Sequence, residues 1–169
     1  MKKIILSVAI LATCMTACKK KSDDPTPPTT TTTTTTKTDT QYLTAHSWKI
    51  SGSVSDVAVD EDNNASTPVT KDLWSEYKTC EKDDYWIFLA NGTGSFTDAG
   101  TVCSGNTSPT KNFTWTYTSN SVIVVSIPGN NGSIGLTLLS IDDNTLRLSL
   151  PSQQDPHGVA YIETDTYTK

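Results

Sequence analysis

The chain has 169 residues and a formal net charge of −5. From Gln41 to Lys169 the imbalance grows, 7 Lys+Arg against 15 Asp+Glu, a net −8. A domain this acidic repels phosphate backbones, which excludes nucleic acid as a partner, and its length supports one core and no more.

Residues 1–17 read as a signal peptide. Lys2 and Lys3 form a positive start and Ile4 to Thr13 a short apolar run, about half of what a bilayer crossing needs. Met15-Thr16-Ala17-Cys18 resembles the lipobox of bacterial lipoproteins, which makes Cys18 the acylated first residue of the mature chain. Leu11-Ala12-Thr13-Cys14 is a second match, less apt because Thr13 precedes the cut, and an ordinary secreted protein is the plainer alternative. An acyl chain here implies a lipid-anchored protein outside the cytoplasm, on the outer membrane or cell surface.

Residues 18–40 comprise that cysteine and a linker. Lys19, Lys20 and Lys21 sit beside the anchor, against headgroups or merely solvated, and eight consecutive threonines run from Thr29 to Thr36. Nothing in the segment can bury apolar surface, so it is expected to be disordered.

The domain 41–169 reads as all-β. The first strand is expected over Thr44–Val59, bent at Gly52, with His46, Trp48 and Ile50 on one face. Asp60, Asp62, Asn64 and Ser66 are spaced like early calcium-loop ligands, but Ala65 and Lys71 stand where glycine and glutamate belong. A solvated acidic turn is the better reading. Pro68–Thr79 holds one short helix, with Leu73, Trp74 and Tyr77 as its stripe.

Next, Asn91-Gly92 between two apolar runs signals a hairpin. With those two as the loop, Ile87 faces Phe96 and Cys80 faces Cys103, near enough for a disulfide. Outside the cytoplasm, these two remaining thiols most often form one bridge. Tyr85, Ile87, Leu89 and Phe96 then share one side, and Trp86 and Phe88 the other. Strands 111–118 and 121–127 pair so that Phe113, Trp115 and Tyr117 join Val122 and Val124. Strands 133–141 and 145–150 pair Leu138 with Leu148, with Asn144 left-handed in the loop Asp142-Asp143-Asn144. A polar loop leads to the last strand, 158–169. These are eight strands with short sequential turns, an up-and-down antiparallel meander able to close a barrel, with a β-sandwich as the alternative.

Catalytic signatures are absent. The two histidines, His46 and His157, belong to no recognisable triad or zinc motif, and the pairs Asp83/Asp84 and Asp142/Asp143 sit at turns, where Asp bonds locally. The expectation is a protein that is not an enzyme and holds no metal or cofactor. Aromatic residues make the binding case: Trp48, Trp86, Phe88, Trp115 and Tyr117 are candidates to line a cup, or else they fill the core.

The lipobox, the polar stalk, Leu43 with Trp48, Cys80-Glu-Lys-Asp-Asp-Tyr-Trp-Ile-Phe88 ahead of Asn-Gly and a second cysteine, and Phe113-Thr-Trp-Thr-Tyr117 together resemble the lipocalin-like domain lipoproteins of Gram-negative bacteria. His46-Ser47-Trp48 departs from the Gly-x-Trp of the true lipocalins. The resemblance implies a small barrel or half-barrel and supplies no catalytic residue. Two functions follow as expectations: a membrane-anchored binder of a small apolar or amphipathic ligand, or an accessory lipoprotein docking on an outer-membrane protein complex.

Overall fold

The computed structural model describes residues 36–60, 68–129 and 132–169. The signal segment, Cys18, nearly all of the linker and the acidic loop beyond Asp60 lie outside the described residues. One compact unit runs from Thr36 to Lys169.

The elements in order are α1 (Asp39–Leu43), β1 (Ser47–Ser55), α2 (Leu73–Glu76), β2 (Tyr85–Phe88), β3 (Thr93–Thr97), β4 (Thr110–Tyr117), β5 (Val122–Ser126), β6 (Ser133–Ile141), β7 (Thr145–Ser149), β8 (Gln153–Gln154), β9 (Ala160–Tyr161) and β10 (Glu163–Thr168). β1 to β7 follow one another around a closed antiparallel barrel, and β10 seals it by pairing with both β7 and β1. The eight-stranded meander expected from the sequence is therefore present, and it closes. The ribbon β8–β9 stands outside it: β8 falls in the segment expected to be loop, and β9 in the first residues of the expected last strand.

The two ends of the barrel differ. One end carries the tight hairpins β2–β3, β4–β5 and β6–β7 together with α1, a helix the sequence reading did not anticipate. A reciprocal capping box starts α1: Thr38 Oγ1 accepts from the Gln41 amide, and Gln41 Oε1 accepts from the Thr38 amide at 2.8 Å. The Tyr117 hydroxyl donates to Asp39 at 2.6 Å, and Lys37 pairs with Asp143, which ties α1 to two hairpins. Leu43, at the end of α1, is buried as part of the same core as Trp48, Phe88, Trp115, Ile123 and Leu146. This end is plugged. At the other end lie the long connections β1–β2, β3–β4 and β7–β10.

Two hairpins are displaced by one residue from the expected register. Trp86, not Ile87, faces Phe96, and Trp115 faces Val125. Phe96 thus shares the inner face with Trp86 and Phe88, and the buried pair on β5 is Ile123 and Val125 rather than Val122 and Val124. Leu138 pairs with Leu148 as expected, but a bulge at Leu139 shifts the rest of that hairpin. Asn144 is not left-handed; Asp142 Oδ1 instead accepts from the amides of Asn144 and Thr145.

Cys80 and Cys103 are bonded, with Cα atoms 5.1 Å apart. Neither lies in a strand: the bridge joins the β1–β2 and β3–β4 connections at the open end rather than stapling paired strands. It closes a span of 23 residues, so replacing both cysteines by serine is expected to cost about 3 kcal/mol through loop entropy. A thermal melt should drop by roughly 10 °C; a drop of only about 2 °C would show that these connections are ordered without the bridge.

Candidate functional site

Along β1 the inner face changes character. Trp48 and Ile50 point inward, and then a bulge at Ser51 resets the alternation: Ile50 pairs with Tyr167, Gly52 with Thr166, Ser53 with Asp165 and Ser55 with Glu163. Val54 is thereby turned outward, 47% exposed, while Ser53 and Ser55 are buried. On β10 the inward residues are Tyr167, Asp165 and Glu163. The interior is apolar against α1 and acidic toward the open end.

There a cavity of about 730 Å³ opens between the barrel rim, α2 and the β8–β9 ribbon. Trp86 and Phe96 form one wall, with ring centroids 5.5 Å apart. Tyr77, Tyr161 and Tyr167 also line it. Trp86 also lies 5.2 Å from Phe113 and 5.8 Å from Phe88, so the wall is braced by the core behind it. α2 is only four residues long, held because Leu73 buries against Val59 and Tyr161 in a small satellite core.

Glu163 is held by three neutral donors. The Ser53 hydroxyl donates at 2.6 Å and the Tyr77 hydroxyl at 3.1 Å to Oε1, and the Gln153 amide at 2.8 Å to Oε2. Asp165 receives far less. The Tyr167 hydroxyl donates to Oδ2 at 2.9 Å, and Oδ1 is buried with no hydrogen-bond partner. Burial, then the charge of Glu163, pushes the Asp165 carboxyl up to about 7. At the rim, burial and then the charges of Asp98 and Asp83 raise Asp84 to about 6. Burial first, then Asp165, raises the hydroxyls of Tyr77 and Tyr167, which keeps both as donors at neutral pH.

Of the five aromatic residues singled out in the sequence, Trp86 alone lines this cavity. Trp48 is fully buried, with Nε1 donating to the Leu43 carbonyl at 2.9 Å. Phe88 and Trp115 pack edge to face at 5.5 Å, and Trp115 Nε1 donates to the carbonyls of Leu89 and Thr93. Tyr117 reaches α1 at the plugged end. Of the two histidines, His157 contacts Asp60 at 2.9 Å and His46 packs on Trp48. Asp83 accepts from the Thr101 amide at 2.8 Å, a bond between the β1–β2 and β3–β4 connections rather than the local turn bond expected from the sequence. No group of three or more His, Cys, Asp or Glu arranged to hold a metal occurs among the described residues.

The sequence reading missed Glu163 and Asp165. The signal was available: with Tyr167 inward, period-two alternation puts both carboxylates inside.

A closed antiparallel barrel, plugged at one end and hollow at the other, defines a class of β-barrel with an interior large enough for a small molecule. The profile of the lipocalin-like domain family matches residues 45–148, more than half of the chain, and the protein belongs to that family. Comparison with curated proteins returns no match. Similar solved structures include a deswapped triple mutant of bovine odorant binding protein, 15% identical with a TM-score of 0.39, covering 73% of this chain and 72% of that one. Another is bovine odorant binding protein in complex with a selenium-containing odorant, also 15% identical at a TM-score of 0.39, covering 80% of this chain and 74% of that one.

Proposed function

We propose that this protein is a lipid-anchored, extracytoplasmic binding module that holds a small amphipathic molecule in the cavity at the open end of its barrel. The cavity carries the reading. Its volume, about 730 Å³, falls within the ~300–1,000 Å³ typical of small-molecule sites. A protein that only docks on a partner has no use for a hollow interior. Trp86 and Phe96 line it with apolar rings for the ligand body, while Glu163 and Asp165 line it with polar groups. The anchor is the acyl chain on Cys18, and the linker gives reach from the membrane. The disulfide fits an oxidising compartment. The role is binding rather than catalysis.

Native mass spectrometry of the intact protein is expected to show co-purified small molecules. The neutral fluorophore N-phenyl-1-naphthylamine should bind, and Trp86→Ala should weaken it roughly five- to tenfold through loss of ring contact. Cys18→Ser should move the protein from the membrane to the soluble fraction. An empty spectrum together with no fluorophore binding would sink the binding role and leave the docking one.

A further inference from the structure

We propose that the cavity takes an organic ammonium ion, a protonated amine on an aromatic or otherwise apolar body, with Asp165 as its counter-ion and Trp86 and Phe96 against the body. This rests on the cavity being a binding site and names the chemistry of its occupant.

Asp165 carries the argument. It is only 5% exposed, stands in the cavity wall, and one of its oxygens has no hydrogen-bond partner. Burying a carboxylate is costly unless it is paired. Among the described residues, no Lys, Arg or His forms a salt bridge with it or with Glu163. A carboxylate kept only for packing would be better replaced by an apolar residue or an amide, so an unpaired one in a cavity wall points to a cation that arrives from outside.

Neighbouring groups sharpen the sign. Facing Asp165 are Glu163 and Tyr167 on its own strand, Ser53 opposite it on β1 and Tyr77 beyond α2; Ser53, Tyr167 and Tyr77 bring hydroxyls, not positive charges, to the two carboxylates. Glu163 takes hydrogen bonds from three neutral donors, whereas Oδ1 of Asp165 has no partner. Nearer the rim, Glu76, Glu81 and Asp84 add negative charge. The one ammonium in the lining, Lys78, is mostly exposed and lies 3.7 Å from Glu81. A fatty acid or other anion would enter against this field, whereas a cation is drawn in. The ring faces of Trp86 and Phe96 suit an ammonium or its apolar stem. A bare metal ion is the poorer occupant, because no described group of three ligating side chains converges.

Three ligands that share an indole body separate the cases: tryptamine, a cation; tryptophol, its neutral alcohol; and indole-3-propionate, an anion. In calorimetric titration of the intact protein near pH 8, tryptamine should bind roughly tenfold or more tighter than tryptophol, and the anion more weakly than both. Near pH 6.5, where Asp165 is largely protonated in the empty site, tryptamine should release a proton, so the measured heat should change with the ionisation enthalpy of the buffer. Asp165→Asn should bring tryptamine to within about twofold of tryptophol and leave tryptophol unchanged. Equal affinity for the amine and the alcohol overturns the cation assignment while small-molecule binding stands. An amine preference that persists in Asp165→Asn overturns the role of Asp165. Saturable calcium binding that expels tryptamine overturns the organic cation. Failure of N-phenyl-1-naphthylamine and all three indoles to bind removes the binding reading itself.

Discussion

Trp48→Ala is expected to lower the stability of the domain by about 3–5 kcal/mol, a third or more of what a domain of this size usually has. Trp48 is fully buried and belongs to the core that seals the plugged end. Three losses combine. The indole volume disappears from between α1 and the barrel floor, and a rigid barrel cannot collapse to fill it. The Leu43 carbonyl loses the Nε1–H that donates to it at 2.9 Å, and a buried acceptor left alone carries its own penalty. α1, one and a half turns long, then keeps its capping box, its links through Asp39 and Lys37 and the remaining burial of Leu43. Trp48→Phe separates these terms. It keeps most of the volume and drops the donor, so it should cost only about 1–2 kcal/mol. Urea unfolding followed by far-UV circular dichroism reads both variants. If Trp48→Ala costs under about 1 kcal/mol, the plug adds little and α1 is an appendage rather than a lid.

How far this architecture could be read from the residues depends on the physical signal each part leaves. Strand number and order are carried by turn residues at short intervals, and those are explicit in the chain. Register is carried by loop geometry, which is not. Leu89 donates to the Thr93 carbonyl at 2.8 Å, so the first hairpin loop is Ala90-Asn91-Gly92, with Gly92 left-handed at φ 80°. Asn-Gly suggests a two-residue loop equally well, and a slip of one residue exchanges the two faces of the hairpin. At the next hairpin the left-handed position falls on Ser121, at φ 57°, a residue type that gives no warning of it. The bulge at Ser51 is equally silent, although Gly52 hinted at a bend. The disulfide was legible because Cys80 and Cys103 are the two cysteines of the domain, and its partners stood whatever the register; its placement in connections was not. The site lay further out of reach. Tryptophans advertise themselves, and four of the five aromatics chosen lie outside the cavity wall. Glu163 and Asp165 looked like ordinary acidic residues of a polar strand until the barrel seam turned them inward.

Asp165→Asn should stabilise the empty protein at alkaline pH, and the gain should vanish in acid. Folding raises this carboxyl from its ordinary 3.8 to about 7, so between those values the folded state holds a proton that the unfolded state has released. Stability from this group is therefore complete below about pH 4 and is lost as pH climbs through about 7. At about pH 8 the native protein carries the full cost of a buried negative charge beside Glu163, on the order of 2–4 kcal/mol. Asparagine removes that charge while its side-chain oxygen still accepts from the Tyr167 hydroxyl, so the variant should be more stable than wild type by that order near pH 8 and within about 0.5 kcal/mol of it near pH 3.5. Asp84, raised by burial in the same direction, adds a smaller slope of the same sign that the variant keeps. Chemical denaturation at a series of pH values gives both curves. Parallel curves would mean that Asp165 ionises on folding without penalty, through solvent that reaches it. Diverging curves would show that the buried charge beside Glu163 is a cost the empty barrel carries at alkaline pH. The same charge that destabilises the empty barrel is what a bound cation would neutralise, so tryptamine near pH 8 should raise the melting point of wild type more than tryptophol does, and that of Asp165→Asn by about as much as tryptophol does.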